Sequence, residues 1–235
     1  MATISENIQE VHRRLAAACL QAGRLQQTLT LLVVSKTFPA EAVREAFEAG
    51  ERQFGESYVQ EALDKIAALA DLRSQIQWHL IGPLQSNKTR VVAEAFDWVH
   101  SVDRLKIAQR LSEQRPANLP PLQVCLQVNI SGEASKSGAL PAEVPGLASA
   151  IAKLPRLRLR GLMAFPEACE DFEAQRAPHA ALRQMLAALN AEQGLGLDTL
   201  SMGMSADLEA AVVEGASIVR IGSAIFGARH YPVAR

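Results

Sequence analysis

The sequence predicts an α/β fold: a single (β/α)8 TIM barrel spanning residues 1–235, with one extra helix at its amino terminus. Three observations carry that prediction. Apolar, β-branched runs recur about eight times and alternate with amphipathic helical segments, the beat of a parallel sheet wrapped in helices. A length of 235 residues suits one undivided barrel. The first strand-like run, TLTLLVVSK at 28–36, ends in Ser-Lys-Thr with no glycine. The competing fold, a doubly wound open sheet, has fewer strands and normally a glycine fingerprint at that point. No linker, repeat or low-complexity tract marks a second domain.

The elements follow in order. Ile4, Ile8, Val11, Leu15 and Cys19 share one helical face, with Thr3 and Glu6 as a capping box, so the extra helix comes first and ends near Gly23. TLTLLVVSK is apolar on both faces, as a strand covered on both sides must be. Pro39 opens the helix PAEAVREAFEAG, and Gly50 closes it. The short segment RQFGES leads into the helix YVQEALDKIAALADL. QIQWHLIG is a strand broken at Gly82-Pro83, followed by a helix over 86–95. DWVHS is a brief strand, and SVDRLKIAQRLSEQ is a helix capped by Ser101 or Asp103. PLQVCLQVNI is a strong strand, with the polar loop SGEASKSG and a helix over 141–154 after it. LRLRGLMAF is the next strand, and a long helix covers 172–193. LDTLSMGMS combines a short strand with a glycine turn before the helix ADLEAAVVEG, and SIVRIGSAIFG closes the series.

Composition narrows the function. Twenty-four basic and 25 acidic residues give a formal net charge of -1. That balance supplies no attraction to nucleic acid or to an anionic membrane. No apolar run approaches the roughly 20 residues needed to span a bilayer. The charged start, MATISENIQEVHRRL, is unlike a secretory signal. Three widely spaced cysteines, Cys19, Cys125 and Cys169, fit a reducing compartment, so a cytoplasmic protein is expected.

Chemistry concentrates at the carboxyl ends of the strands, where barrels build their sites. Alternation puts Thr30, Leu32, Val34 and Lys36 on one face of the first strand, so Lys36 ends it at the barrel mouth. A lysine there either pairs with a carboxylate or, in an apolar setting, condenses with an aldehyde. SMGMSAD at 201–207 and RIGSAIFG at 220–227 are two glycine turns leading into helices, with Ser205 or Asp207 as the cap of the first and Gly222 and Ser223 in the second. They fall after the last two strands, where barrels frequently bind phosphate. Arg220 shares a strand face with Ile218 and needs an acceptor: a buried carboxylate, a ring nitrogen or a phosphate. Other strand-end candidates are Glu56, Ser57, His79, His100, Ser101, Asn129 and Met163, with Lys136 on the loop SGEASKSG. The five histidines show no metal spacing, and neither a nucleophile elbow nor a Walker loop is present.

The motifs VSKT at 34–37, FGESYVQE at 54–61, WHLIGPLQSNK at 78–88, HSVDR at 100–104, QVNISGEASKSG at 127–138, GLMAFP at 161–166, LSMGMSADLEAAV at 200–212 and VRIGSAIFG at 219–227 run across nearly the whole chain. In them the sequence resembles the YggS/PROSC family of pyridoxal phosphate homeostasis proteins, relatives of the barrel domain of alanine racemase. The resemblance implies that Lys36 holds pyridoxal 5'-phosphate as a Schiff base. It also implies that Ser205, Gly222 and Ser223 grip the phosphate and that Arg220 faces the pyridine nitrogen. Ser57, Met163, His79 and Asn129 are expected around the same cofactor. Ser57 departs from the family, which usually has asparagine after Gly-Glu, and a hydroxyl offers one donor where an amide offers two. The implied role is to hold the cofactor without efficient catalysis and to pass it to apo-enzymes. Racemase relatives complete their site with a second domain and a tyrosine base; here the chain ends soon after Gly227, and its tyrosines are Tyr58 and Tyr231. An arginine opposite the ring nitrogen also makes the cofactor a poorer electron sink. The alternatives are a small amino-acid racemase and a cofactor-free Schiff-base aldolase. The chain is expected to act as a monomer, with neither nucleic acid nor membrane as partner.

Overall fold

The computed structural model describes residues 2–132, 137–167 and 169–227; Lys136 and Tyr231 lie outside them. Eight parallel strands close into a barrel in chain order: β1 (Thr30–Val34), β2 (Gln53–Glu56), β3 (Gln77–Leu80), β4 (Trp98–Val102), β5 (Leu122–Gln127), β6 (Leu157–Met163), β7 (Thr199–Ser201) and β8 (Ile218–Ile221). The expected (β/α)8 barrel is what forms, with β8 pairing back onto β1. Helix α1 (Ile4–Gln21) precedes β1. The helices α2 (Ala40–Glu48), α3 (Val59–Ala68), α4 (Thr89–Ala95), α5 (Leu105–Gln114), α6 (Val144–Ala152), α7 (Phe172–Gln193) and α8 (Leu208–Val213) fall between successive strands, and α9 (Ser223–Phe226) follows β8.

Period-two alternation decides which side chain goes where. On β1, Leu32 and Val34 turn inward and meet Ile81, Trp98, Cys125, Met163 and Ile218 in an inner cluster. Leu31 and Val33 turn outward into the larger core beneath the helices. Each such side chain, fully buried, contributes about 1.5–3 kcal/mol of hydrophobic transfer. The α1 capping box forms as expected: Glu6 N–H donates to the Thr3 hydroxyl at 3.2 Å, and Thr3 N–H to the Glu6 carboxylate at 2.8 Å.

Several boundaries differ from the sequence expectation. Neither Ser101 nor Asp103 caps α5; Arg104 holds that position without a side-chain bond. The reason is that β4 is buried throughout its length, so pairing carries the extended chain through Ser101 to Val102. The helix expected over 86–95 splits into a 3-10 turn at Ser86–Lys88 and then α4, and that over 141–154 into Pro141–Glu143 and then α6. Among the described residues, no helix is long and apolar enough to cross a membrane.

One close approach fixes the barrel wall. Gly161 on β6 pairs with Thr199 on β7, and a Cβ added to it would stand 1.8 Å from the Thr199 carbonyl oxygen. Backbone on both sides leaves no flexible atom to yield. Gly161→Ala is therefore expected to destabilise the fold by about 3 kcal/mol or more, measured as a fall in the urea midpoint at unchanged slope.

Candidate functional site

At the carboxyl ends of β1, β7 and β8 lies a cavity of about 220 Å³. Its polar wall is Lys36, Ser205, Arg220, Gly222 and Ser223, and Val34, Ile81 and Phe165 supply the apolar side. Five residues singled out in the sequence, from three separate strand ends, thus share one chamber.

Lys36 is half-buried, two positions beyond Val34 on the inward face. The backbone around it is held from behind. Thr37 adopts a left-handed conformation (φ 69°), an uncommon state for a β-branched residue. Its N–H donates to Glu61 Oε1 at 2.6 Å. Lys65 then ties the assembly together, donating to Glu61 at 2.6 Å, to Glu56 at 2.8 Å and to the Ser35 carbonyl at 2.7 Å. The Ser35 hydroxyl donates to Glu56 at 2.7 Å. Burial pushes the Glu56 carboxyl above its ordinary range, against the opposing pull of Lys65 and the Ser35 hydroxyl. Removing one member of such a network strands a buried charge, at a cost of about 3–5 kcal/mol. Glu56, expected at the barrel mouth, instead faces α3 and fixes the residues flanking Lys36.

The turn after β7 is built by Asp207. Its Oδ1 accepts the Met204 N–H at 2.7 Å and its Oδ2 lies 2.9 Å from His179 Nε2. Burial alone would raise this carboxyl, but those bonds, with the charges of His179 and Arg220, hold it below the usual carboxylate range. Because Asp207 occupies the cap position of α8, Ser205 stays on the cavity wall. Gly203 (φ 90°) is needed here, since a Cβ would meet that of Ala211 at 2.5 Å. Across the chamber, Gly222 passes so near β1 that a Cβ would stand 2.9 Å from the Val34 carbonyl oxygen.

Arg220 is 3% exposed. Its Nη1 donates to the Ser201 carbonyl at 2.5 Å and to Ser201 Oγ at 2.9 Å, and its Nη2 donates to the Ala164 carbonyl at 2.8 Å. Its Cζ lies 4.3 Å from the Phe165 ring centroid. Among the described residues no carboxylate pairs with it, and its Nε–H has no acceptor. Burial lowers its pKa to about 10, against the attraction of Asp207. Of the acceptors weighed from the sequence, a buried carboxylate is thereby set aside. A buried cation with a spare donor at a cavity wall fits an electron-pair acceptor such as a ring nitrogen.

The remaining candidates lie elsewhere. Met163 is in the inner cluster. His79 and His100 are fully buried, joined to Arg220 through Ser201 by hydrogen bonds. Asn129 lines an adjoining cavity of about 290 Å³ that shares Ile81 and Phe165 with the first. Ser57 is half-buried and in neither wall; its carbonyl packs against Gly82. Sequence reading did not single out Ile81, Phe165 and Met204 as cavity wall, nor Lys65, Glu61 and Ser201 as supports. Glu61 and Lys65 are four apart on α3, a spacing visible in the sequence; the burial of Lys65 is not.

Residues 3–230 match the family model described as the alanine racemase N-terminal domain. The chain is 65% identical over 231 residues to a pyridoxal phosphate homeostasis protein of Pseudomonas aeruginosa, covering 98% of both chains. It is 53% identical over 237 residues to the protein of that name in Escherichia coli, covering 98% of this chain and 99% of that one. Among solved structures it is similar to PipY of Synechococcus elongatus with pyridoxal phosphate bound (TM-score 0.84, 36% identity, 96% of this chain and 100% of that one). Alanine racemase from Corynebacterium glutamicum shares the fold (TM-score 0.72, 18% identity), matching 99% of this chain and 62% of that one.

Proposed function

The chain belongs to the alanine racemase N-terminal domain family, and from that premise we propose that it binds pyridoxal 5'-phosphate on Lys36 and serves intracellular homeostasis of that cofactor. The observation that carries this reading is the convergence of Lys36, Ser205, Gly222, Ser223 and Arg220 on one cavity. When bound, the cofactor would supply an aldehyde able to condense reversibly with the Lys36 amine, with loss of water. Val34, Ile81 and Phe165 supply apolar wall on the side of the cavity that Lys36 shares. Ser205 and Ser223 would offer hydroxyls to the phosphate, with Gly222 leaving the backbone beside it bare of a side chain. Arg220, with its Nε–H unpaired, would serve the ring nitrogen.

The protein holds the cofactor and does not turn amino acids over efficiently. Racemisation needs a second acid–base group facing Lys36 across the ring. Among the described residues the cavity wall offers none: Tyr58 is exposed and outside it. The names of the relatives, pyridoxal phosphate homeostasis proteins, support a homeostatic role; the recipients we propose are apo-enzymes. We place the protein in the cytoplasm, acting as a monomer; its described cysteines are free thiols.

Borohydride reduction of protein loaded with pyridoxal phosphate, followed by peptide mass analysis, is expected to put the reduced adduct on the peptide containing Lys36. An adduct on another lysine would refute the site. Steady racemisation of alanine at about 10 s⁻¹, an ordinary enzyme turnover, would refute the holding role.

A further inference from the structure

Below Arg220 the barrel interior carries a chain of hydrogen bonds that cofactor binding itself does not employ. Arg220 Nη1 donates to Ser201 Oγ, Ser201 Oγ lies 2.8 Å from His100 Nδ1, and His100 Nε2 lies 2.9 Å from His79 Nδ1. Arg220 is 3% exposed and the other three are fully buried. The residues come from β8, β7, β4 and β3, so the chain crosses the inside of the barrel.

Arginine can only donate, and this gives the chain a direction. Ser201 Oγ accepts from Arg220, and its own proton has His100 Nδ1 as acceptor. His100 then carries its proton on Nε2 and donates it to His79 Nδ1, so His79 is protonated on Nε2. In this arrangement one buried group, His79 Nε2–H, lacks a partner. The opposite arrangement, with His79 donating to His100 and His100 to Ser201, strands two: the Ser201 hydroxyl proton and the His79 Nε2 lone pair. Each stranded buried group is costly, so the arrangement that strands one prevails over the arrangement that strands two.

We infer that Ser201 and His100 are positioning residues for Arg220: they commit its Nη1 to the barrel interior and leave Nε–H for the ligand. The inference rests on the cofactor site proposed above. His100, whose two ring nitrogens are both engaged, fixes the Ser201 hydroxyl as an acceptor toward Arg220. Without it, that hydroxyl is free to rotate and the guanidinium loses one of its three anchors. His79, stacked on Trp98 with centroids 5.3 Å apart, ends the chain against a rigid wall.

Two measurements test this. On the unloaded protein, nitrogen-15 NMR of the histidine rings is expected to show His100 and His79 both protonated on Nε2 and bare on Nδ1; the reverse tautomers would overturn the inference whether or not the protein binds a cofactor. In binding titrations with pyridoxal phosphate, Ser201→Ala and His100→Leu are each expected to raise Kd about tenfold, the scale of one hydrogen bond to a charged group. His100→Gln, which can accept from Ser201 and donate to His79 as the assigned tautomer does, is expected to stay within about twofold of the parent. Unchanged Kd in Ser201→Ala and His100→Leu, or equal losses in His100→Leu and His100→Gln, would refute positioning. Absence of binding by the parent protein would instead refute the cofactor site, leaving the tautomers to be judged by NMR.

Discussion

Lys36→Ala is expected to lose nearly all of the near-visible absorption band that the parent protein develops with pyridoxal phosphate. The phosphate-side groups remain, so the variant still binds the cofactor, but without the covalent tether. Its Kd is expected to rise by about 100-fold or more, which corresponds to about 2.7 kcal/mol. Folding should survive. Lys36 is a half-buried rim residue outside the Glu56–Lys65–Glu61 network, so the unfolding free energy of the unloaded variant, from urea titration, is expected within about 0.5 kcal/mol of the parent. Lys65 cannot take over the chemistry. Its side chain is 6% exposed, and its amine spends its three donors on Ser35, Glu56 and Glu61. An unchanged band in Lys36→Ala would move the tether to a different lysine, with Lys136 the first to replace. An unchanged band together with an unchanged Kd would remove Lys36 from the site altogether.

The barrel and the position of Lys36 were legible because both depend on local pattern. Double-sided burial and period-two alternation are written within each strand, and they send Leu32, Val34 and Lys36 inward on β1 just as Ile218 and Arg220 on β8. The glycine turns after β7 and β8 were legible for the same reason. Which residue of the first turn caps and which lines the cavity was not, because Asp207 is secured by His179, 28 positions away on α7. The cap of α5 failed similarly: Ser101 looks like a capping serine until β4 is seen to continue through it. Least visible were the supports. His100 and Ser201 are 101 positions apart, and only barrel closure brings them to 2.8 Å. Nor does any local pattern say that Glu56 turns toward Lys65 while its neighbour Gly55 faces Leu32 inside. Local chemistry marks the residues that touch a ligand; topology decides what holds them.

The neutral histidine pair makes a second large effect. The protein is expected to lose about 2 kcal/mol of stability between pH 7 and pH 5 through His79, with His100 adding to the loss in the same direction. Burial lowers the His79 pKa from 6.5 to about 3, and burial, with the repulsion a second proton would meet from His79 and from the Arg220 charge, holds His100 well below 6.5. A depressed histidine binds its proton in the unfolded chain before it does in the fold. Its contribution to stability is therefore fully present above pH 6.5 and is lost as pH falls toward the folded value. Each unit below 6.5 costs about 1.4 kcal/mol per site, so about 2 kcal/mol for His79 at pH 5. His12 works the other way: its hydrogen bond to Glu51 raises its pKa despite partial burial, which favours the fold below pH 6.5, but the side chain is 44% exposed and well screened. The lowered carboxyls of Asp198, Asp207 and Glu214 lose their contributions only at more acid pH, within and below the carboxylate range. Against a total stability of about 5–15 kcal/mol, the histidine term is a measurable fraction lost in mild acid. Urea titrations at pH 7, 6 and 5 measure it, and a double variant, His79→Asn with His100→Gln, removes both titrating groups. Whatever that variant loses at pH 7, its further loss on going to pH 5 should be smaller than the parent's by at least about 2 kcal/mol. Equal losses in the two proteins would mean that the pair is protonated, or reached by water, in the folded barrel. That result would also undo the assignment of its single protons, since the direction of the chain from Arg220 requires both rings to be neutral.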